Sequence, residues 1–190
     1  YKRQVIRPAG FCGVVGYKPT FNRIPTDGII PFSRSMDHLG VLASEIDILE
    51  ETIKVITKGW SEERFQKKGG FKIAVPTGSY MELADSEINS QFSDFLKKIN
   101  PTSYTVENFH LVDDIFTYND ELDELIHAEL YEVHADWFKH YKDYYQPLSR
   151  KSIEAGKKVK RERLYQLRSK AHAYSRWLNK FMRDNDIDLW

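Results

Sequence analysis

The sequence predicts an α/β protein, and more narrowly a fragment of a three-layer α/β/α sandwich with a mixed sheet and a helix-rich second half. Three observations lead there. A strand, a helix and a second strand succeed one another between Phe71 and Val112, a βαβ unit whose connection lengths demand parallel pairing. A stretch dense in glycine and proline, Val5 to Gly40, encloses one short apolar run. From Asp113 onward apolar residues recur at helical spacing for most of the remaining chain.

In order, residues 5–31 hold four glycines (Gly10, Gly13, Gly16, Gly28) and four prolines (Pro8, Pro19, Pro25, Pro31). Glycine permits positive φ and close backbone approach, and proline fixes φ and removes a donor, so this is neither a helix nor an ordinary surface loop. It reads as a buried strand, about Gly13–Tyr17, between tight connections. Cys12, the single cysteine, falls in the apolar run Phe11–Val15 and is expected to be buried and unreactive. Leu42, Ile46, Leu49, Ile53 and Ile56 then describe one helix face, with Ser44 and Asp47 as a candidate capping box and Gly59 as the stop.

Phe71–Val75 reads as a strand stopped by Pro76. Asp85 or Ser86 caps a helix whose buried face is Ile88, Phe92, Phe95, Leu96 and Ile99, and Thr105–Val112 reads as the next strand. A helix follows from Asp113 or Asp114 to about His140, with a stripe of Leu122, Leu125, Ile126, Leu130, Val133 and Trp137. Pro147 breaks the chain, Ser149 caps the last long helix, and Gly156 is placed to kink it. Ile187–Trp190 looks like a strand beginning. The division expected is one domain over 1–190, with a sheet-and-helix core in 1–112 and a helical covering segment in 113–186.

The chain carries 28 basic and 28 acidic residues, so no net charge draws it toward nucleic acid or a membrane. No apolar run approaches the ~20 residues that span a bilayer. With no signal peptide visible, the cytoplasm is the default. Charge is segregated, however: residues 107–136 hold ten acids and no Lys or Arg, and residues 150–176 hold ten basic residues against two acids. Two solvated helix faces that neutralise each other explain this; a nucleic-acid stripe with Tyr165 and Tyr174 is the sharper alternative. Glu124 and His127, with His134 beyond, have a metal-like spacing, but a carboxylate-bridged site needs two such pairs and further glutamates. Ser33, Ser35, Asp37 and His38 hold the residue types of a serine triad on one loop, where adjacent residues rarely orient one another. No metal ligand set and no cofactor loop is identified.

The run R-P-A-G-F-C-G-V-V-G-Y-K-P-T at 7–20, followed by S-M-D-H-L-G at 35–40, resembles the second half of the amidase signature. The resemblance is dense over roughly the first 45 residues. It implies an amide hydrolase with a Ser–Ser–Lys triad and a small-molecule amide as substrate. The family's nucleophilic serine precedes V-I-R-P-A, which places it at Gln4, with Tyr1, Lys2 and Arg3 on the Thr-x-Gly positions. An amide side chain offers no activatable attacking atom, so the resemblance assigns no catalytic residue here. It casts Ile6, Arg7 and Pro8 as support for the nucleophile loop, with Asp37 paired to Arg7. Tyr131, Trp137, Tyr141, Tyr144 and Tyr145 are candidates to line a pocket.

The absence of an initiator Met and the strand beginning at Ile187 fit a fragment, inactive alone. The alternative is a non-catalytic amidase-like protein that binds a partner; a homodimer is a candidate assembly.

Overall fold

The computed structural model describes residues 5–61, 70–99 and 102–190. They fall into two compact units, each built from separated segments. One holds residues 5–61 and 123–164; the other holds 70–99, 102–122 and 165–190. The expectations for Gln4 and Tyr1–Arg3 lie outside the described residues.

The first unit opens on a helix, α1 (Ile6–Cys12), where a strand connection was expected. Pro8 is tolerated because it sits in the first turn, whose N–H groups have no intrahelical partner anyway. Gly13 ends the helix at φ 64°, its N–H turned back to the Ala9 and Gly10 carbonyls. This overturns the burial expected of Cys12, which is exposed at the helix end, beside a Phe11 that is 81% exposed. Ala9 is the helix's one buried residue. A thiol reagent is therefore expected to label Cys12 about as fast in native as in unfolded protein; strong protection in the native state would contradict this placement.

Strand β1 (Val15–Tyr17) pairs antiparallel with β2 (Val41–Ala43), Gly16 facing Leu42. A Cβ on Gly16 would lie 2.6 Å from the Ala9 methyl, so glycine lets α1 lie against the strand. Leu42, expected in a helix, belongs to β2. The helix α2 starts later (Ile46–Ile56), Glu45 stands at its N-cap with no side-chain bond, and Leu49 and Ile53 are its buried residues. The Ser44 cap does not form.

The unit's other segment is the last two-thirds of α4 (Ile115–Tyr141), all of α5 (Pro147–Lys157) and the start of α6 (Arg161–Asp184). The break expected at Pro147 is present, since α4 ends at Tyr141 and Pro147 opens α5, with Gln146 as the N-cap in place of Ser149. The one helix expected from Ser149 to about Arg183 is two, α5 and α6, parted at 158–160 just past Gly156. Gly156 brings α5 onto α4 so closely that a Cβ there would fall 1.8 Å from the His127 carbonyl oxygen. Leu125 and Ile153 are fully buried around this crossing.

The second unit is the predicted βαβ. Strand β3 (Phe71–Thr77) runs parallel to β4 (Tyr104–His110) in unbroken register, with α3 (Ser86–Lys97) as the crossover. The Asp85 carboxylate accepts the Ile88 N–H at 2.9 Å and caps α3 as expected. The strand passes through Pro76 and does not stop there. On its other edge β3 takes the C-terminal residues: Ala74 N–H donates to the Leu189 carbonyl (2.8 Å), Leu189 N–H to the Lys72 carbonyl (3.1 Å), and the Asp188 carboxylate accepts Lys72 N–H (2.8 Å). The apolar face expected to bury α3 does not: Ile88 is 52% and Phe95 60% exposed. Phe92 and Phe95 stand off β3 across a cavity of about 530 Å³.

The single mixed sheet is corrected as well. Among the described residues β1 and β2 form one two-stranded sheet and β3 and β4 another. The segregated charges neutralise as expected in both units. Arg163 donates twice to Glu124 (3.0 and 2.7 Å) in the first, and Lys170 pairs with Glu121 in the second.

Candidate functional site

The loop from Pro31 to His38 is an irregular segment of the first unit held by hydrogen bonds from within and from α4. The Asp37 carboxylate accepts the backbone N–H groups of Phe32 (2.8 Å) and Ser33 (3.0 Å), while the Ser33 carbonyl accepts those of Met36 (2.9 Å) and Asp37 (2.8 Å). A short polar side chain bonding its own backbone closes the turn. Asp37 therefore does not pair with Arg7, whose guanidinium instead lies 5.7 Å from the Phe11 ring centroid. Ile6, Arg7 and Pro8 occupy the exposed side of α1.

Helix α4 grips this loop at two heights. Glu129, only 1% exposed, accepts the Ser33 hydroxyl (2.6 Å), the Ser35 N–H (3.0 Å) and the Ser35 hydroxyl (2.9 Å) on one carboxylate oxygen. Just over one turn further, His134 bonds the Pro31 backbone and meets the Tyr145 hydroxyl at Nδ1 (2.8 Å). Ser33 and Ser35 are thus consumed as donors to Glu129, and the His38 Nδ1–H donates to the Met36 carbonyl at 2.7 Å. The four triad-type residues are close in space without forming a relay.

Burial holds the His134 imidazole below its ordinary value of 6.5. Below about pH 6.5 the unfolded state binds this proton and the folded state does not, so stability falls with pH until the lower folded value is passed. The urea midpoint of the wild type should accordingly drop between about pH 7 and pH 5 relative to that of His134→Gln. A difference between the two that does not change with pH would count against this role.

The loop walls a cavity of about 320 Å³, lined also by Val5, Lys18, Phe21 and Ile29, with Arg34 and Asp37 from the loop itself. The Lys18 Nζ donates to the Pro19 carbonyl at 2.6 Å, and burial lowers the pKa of the ammonium. The Phe21 ring meets His38 edge-on at 5.2 Å. None of the five aromatic residues expected to line a pocket does so here; Tyr145 and Trp137 pack on His134, and Tyr144 is almost fully exposed. Glu124 is bound to Arg163 and His134 to Tyr145, so the metal-like spacing is spent on other bonds.

Sequence reasoning passed over Glu129 and Lys18. A signal for the first was present: Glu129 lies on the apolar stripe of α4, between Leu125 and Val133 at four-residue steps, where an acid must find donors.

Comparison with known proteins agrees with the signature. The Amidase family model matches residues 5–187. A glutamyl-tRNA(Gln) amidotransferase subunit from Thermodesulfovibrio yellowstonii is 25% identical over 132 residues, 56% of this chain and 27% of that protein. The indoleacetamide hydrolase of Allorhizobium ampelinum is 30% identical over 81 residues, 43% of this chain and 17% of that protein. A crystal structure of an amidase superposes with a TM-score of 0.83 at 22% identity, over 96% of this chain and 41% of that one, a likeness of fold. The chain therefore spans less than half the length of the relatives it matches. A signature run at residues 7–20, a family match through both units and a shared fold converge on one assignment: the chain belongs to the amidase family.

Proposed function

We propose that this chain is the part of an amide hydrolase that follows the nucleophile, and that the whole protein cleaves a small-molecule carboxylic amide in the cytoplasm. The observation that carries the reading is R-P-A-G-F-C-G-V-V-G-Y-K-P-T at 7–20, inside a family match from residue 5 to 187. In the proposed reaction a neutral lysine takes the proton of the nucleophilic serine through a bridging serine. The serine oxygen attacks the amide carbonyl, and backbone N–H groups hold the oxyanion. The amine leaves with a proton, and water then releases the acid and restores the serine. Ile6, Arg7 and Pro8, in α1 just after position 4, support the nucleophile segment in this reading, and the loop closed by Asp37 buttresses it. The two units are parts of one amidase domain, and the three-layer sandwich is the arrangement proposed for the whole.

The 190-residue chain carries Gln4 where the nucleophile is expected. It should show no turnover of aliphatic, aryl or peptide amides and no labelling by a fluorophosphonate. Gln4→Ser should not rescue it, because the general base and bridging serine belong N-terminal to that position in the family. A protein joining this sequence to an in-frame lysine, Ser-Ser-Gly and Thr-x-Gly-Ser run should hydrolyse amides. Turnover by the chain alone, or stoichiometric labelling of Ser33 or Ser35, would overturn the assignment. An inactive longer protein carrying all those residues would favour the non-catalytic, partner-binding alternative.

A further inference from the structure

The cavity of the first unit carries an excess of positive charge. Two cationic side chains line it, Lys18 and Arg34, against one acid, Asp37. The acid is already held by two backbone N–H groups at 2.8 and 3.0 Å. The Lys18 ammonium is partly stripped of water, and its hydrogen-bond partner among the described residues is the neutral Pro19 carbonyl, at 2.6 Å. A desolvated ammonium with one neutral acceptor keeps unused donors, and the favourable partner for them is an anion. The rest of the wall is mixed: Asn22, Thr26, Ser33 and His38 are polar, and Phe21, Ile29 and Leu39 are among its apolar residues. At about 320 Å³ the cavity lies at the small end of ligand pockets.

We propose that this cavity binds a small carboxylate with an apolar body, the carboxylate between Lys18 and Arg34 and the body against Phe21, Ile29 and Leu39. The loop that shapes it is fixed from below by Glu129 through Ser33 and Ser35, so the site is pre-formed and little ordering opposes binding. The inference goes beyond the amide-hydrolase reading and does not depend on it.

The test uses the 190-residue chain, phenylacetate and its neutral analogue 2-phenylethanol, with calorimetric titration and the Met36 methyl signal as readouts. Phenylacetate should bind at least about tenfold more tightly than the alcohol, the difference an ion-assisted contact supplies. It should shift the Met36 methyl ahead of those of Met81 and Met182. Lys18→Gln and Arg34→Gln should each remove most of that preference, and Lys18→Arg should keep it. Arg34 is exposed, so its variant reports even where Lys18→Gln perturbs folding. Equal affinity for the two probes, no saturable binding of phenylacetate, a preference that survives Arg34→Gln, or shifts confined to the other methionines would overturn the proposal.

Discussion

Replacing Gly156 by alanine is expected to cost about 2–3 kcal/mol, seen as a melting temperature lower by about 4–12 °C. Two effects compete. Alanine is the better helix former by about 1 kcal/mol in a helix interior. Against it stands the 1.8 Å that would separate the new Cβ from the His127 carbonyl oxygen. Real Cβ contacts stay beyond 3.0 Å, and the opposing atom is helix backbone, which cannot swing aside as a side chain can. The helices must separate by more than an ångström, loosening the fully buried Leu125 and Ile153. Gly10→Ala is the control. It also lies in a helix, with nothing within 4 Å of its added methyl, and should be neutral or stabilising by about 0.5–1 kcal/mol. Equal melting temperatures for Gly156→Ala and the wild type would mean that α5 does not lie on α4 as described.

The second large effect is expected at Glu129. Glu129→Leu keeps the apolar stripe of α4 and removes the acceptor of three donors, Ser33 Oγ, Ser35 N and Ser35 Oγ. Each donor left buried without a partner costs about 1–3 kcal/mol, and the hydroxyls can rotate toward other acceptors, so about 3 kcal/mol is the expected total. Glu129→Gln should lose less, because its amide oxygen can still accept from the same side. The local signature is faster amide exchange at Ser33, Ser35 and Met36 in the leucine variant. An unchanged urea midpoint with unchanged exchange there would refute the tie between α4 and the loop.

How far the fold could be read from the chain differs by segment. The βαβ unit was legible because strand, helix and strand each keep their own period and are separated by turn residues. The long helices were legible from Leu125, Leu130 and Val133, and from Leu164, Leu167 and Leu178, but the break at 158–160 that separates α5 from α6 was not. The first helix was not, because Pro8, Gly10 and Gly13 argue for irregular chain; Pro8 falls in the first turn and Gly13 serves as the cap, which is where helices accept them. Strand β2 was hidden because Leu42 also fits the helical spacing of Ile46 and Leu49. The apolar face of α3 was read correctly as a pattern and wrongly as buried, since a pattern shows which residues share a face and not what lies against it. At the candidate site, the residues of the loop drew notice for triad-like chemistry. Their actual bonds depend on Glu129, 96 positions after Ser33. Pairings across that distance leave no local periodicity to read.

The position of Leu189 against β3 also bears on the order in which the chain assembles. Ile73 and Leu189 are neighbours in the sheet, yet 115 intervening residues must be made before they can meet. Until then one side of β3 offers unpaired N–H and C=O groups to whatever strand comes near. Closing so long a loop adds little cost over a shorter one, because the entropy grows only with the logarithm of length. The delay is therefore set by synthesis: at about 5–20 residues per second, the nascent chain passes several seconds with that edge open. Chaperone engagement or mispairing during that interval would begin at β3.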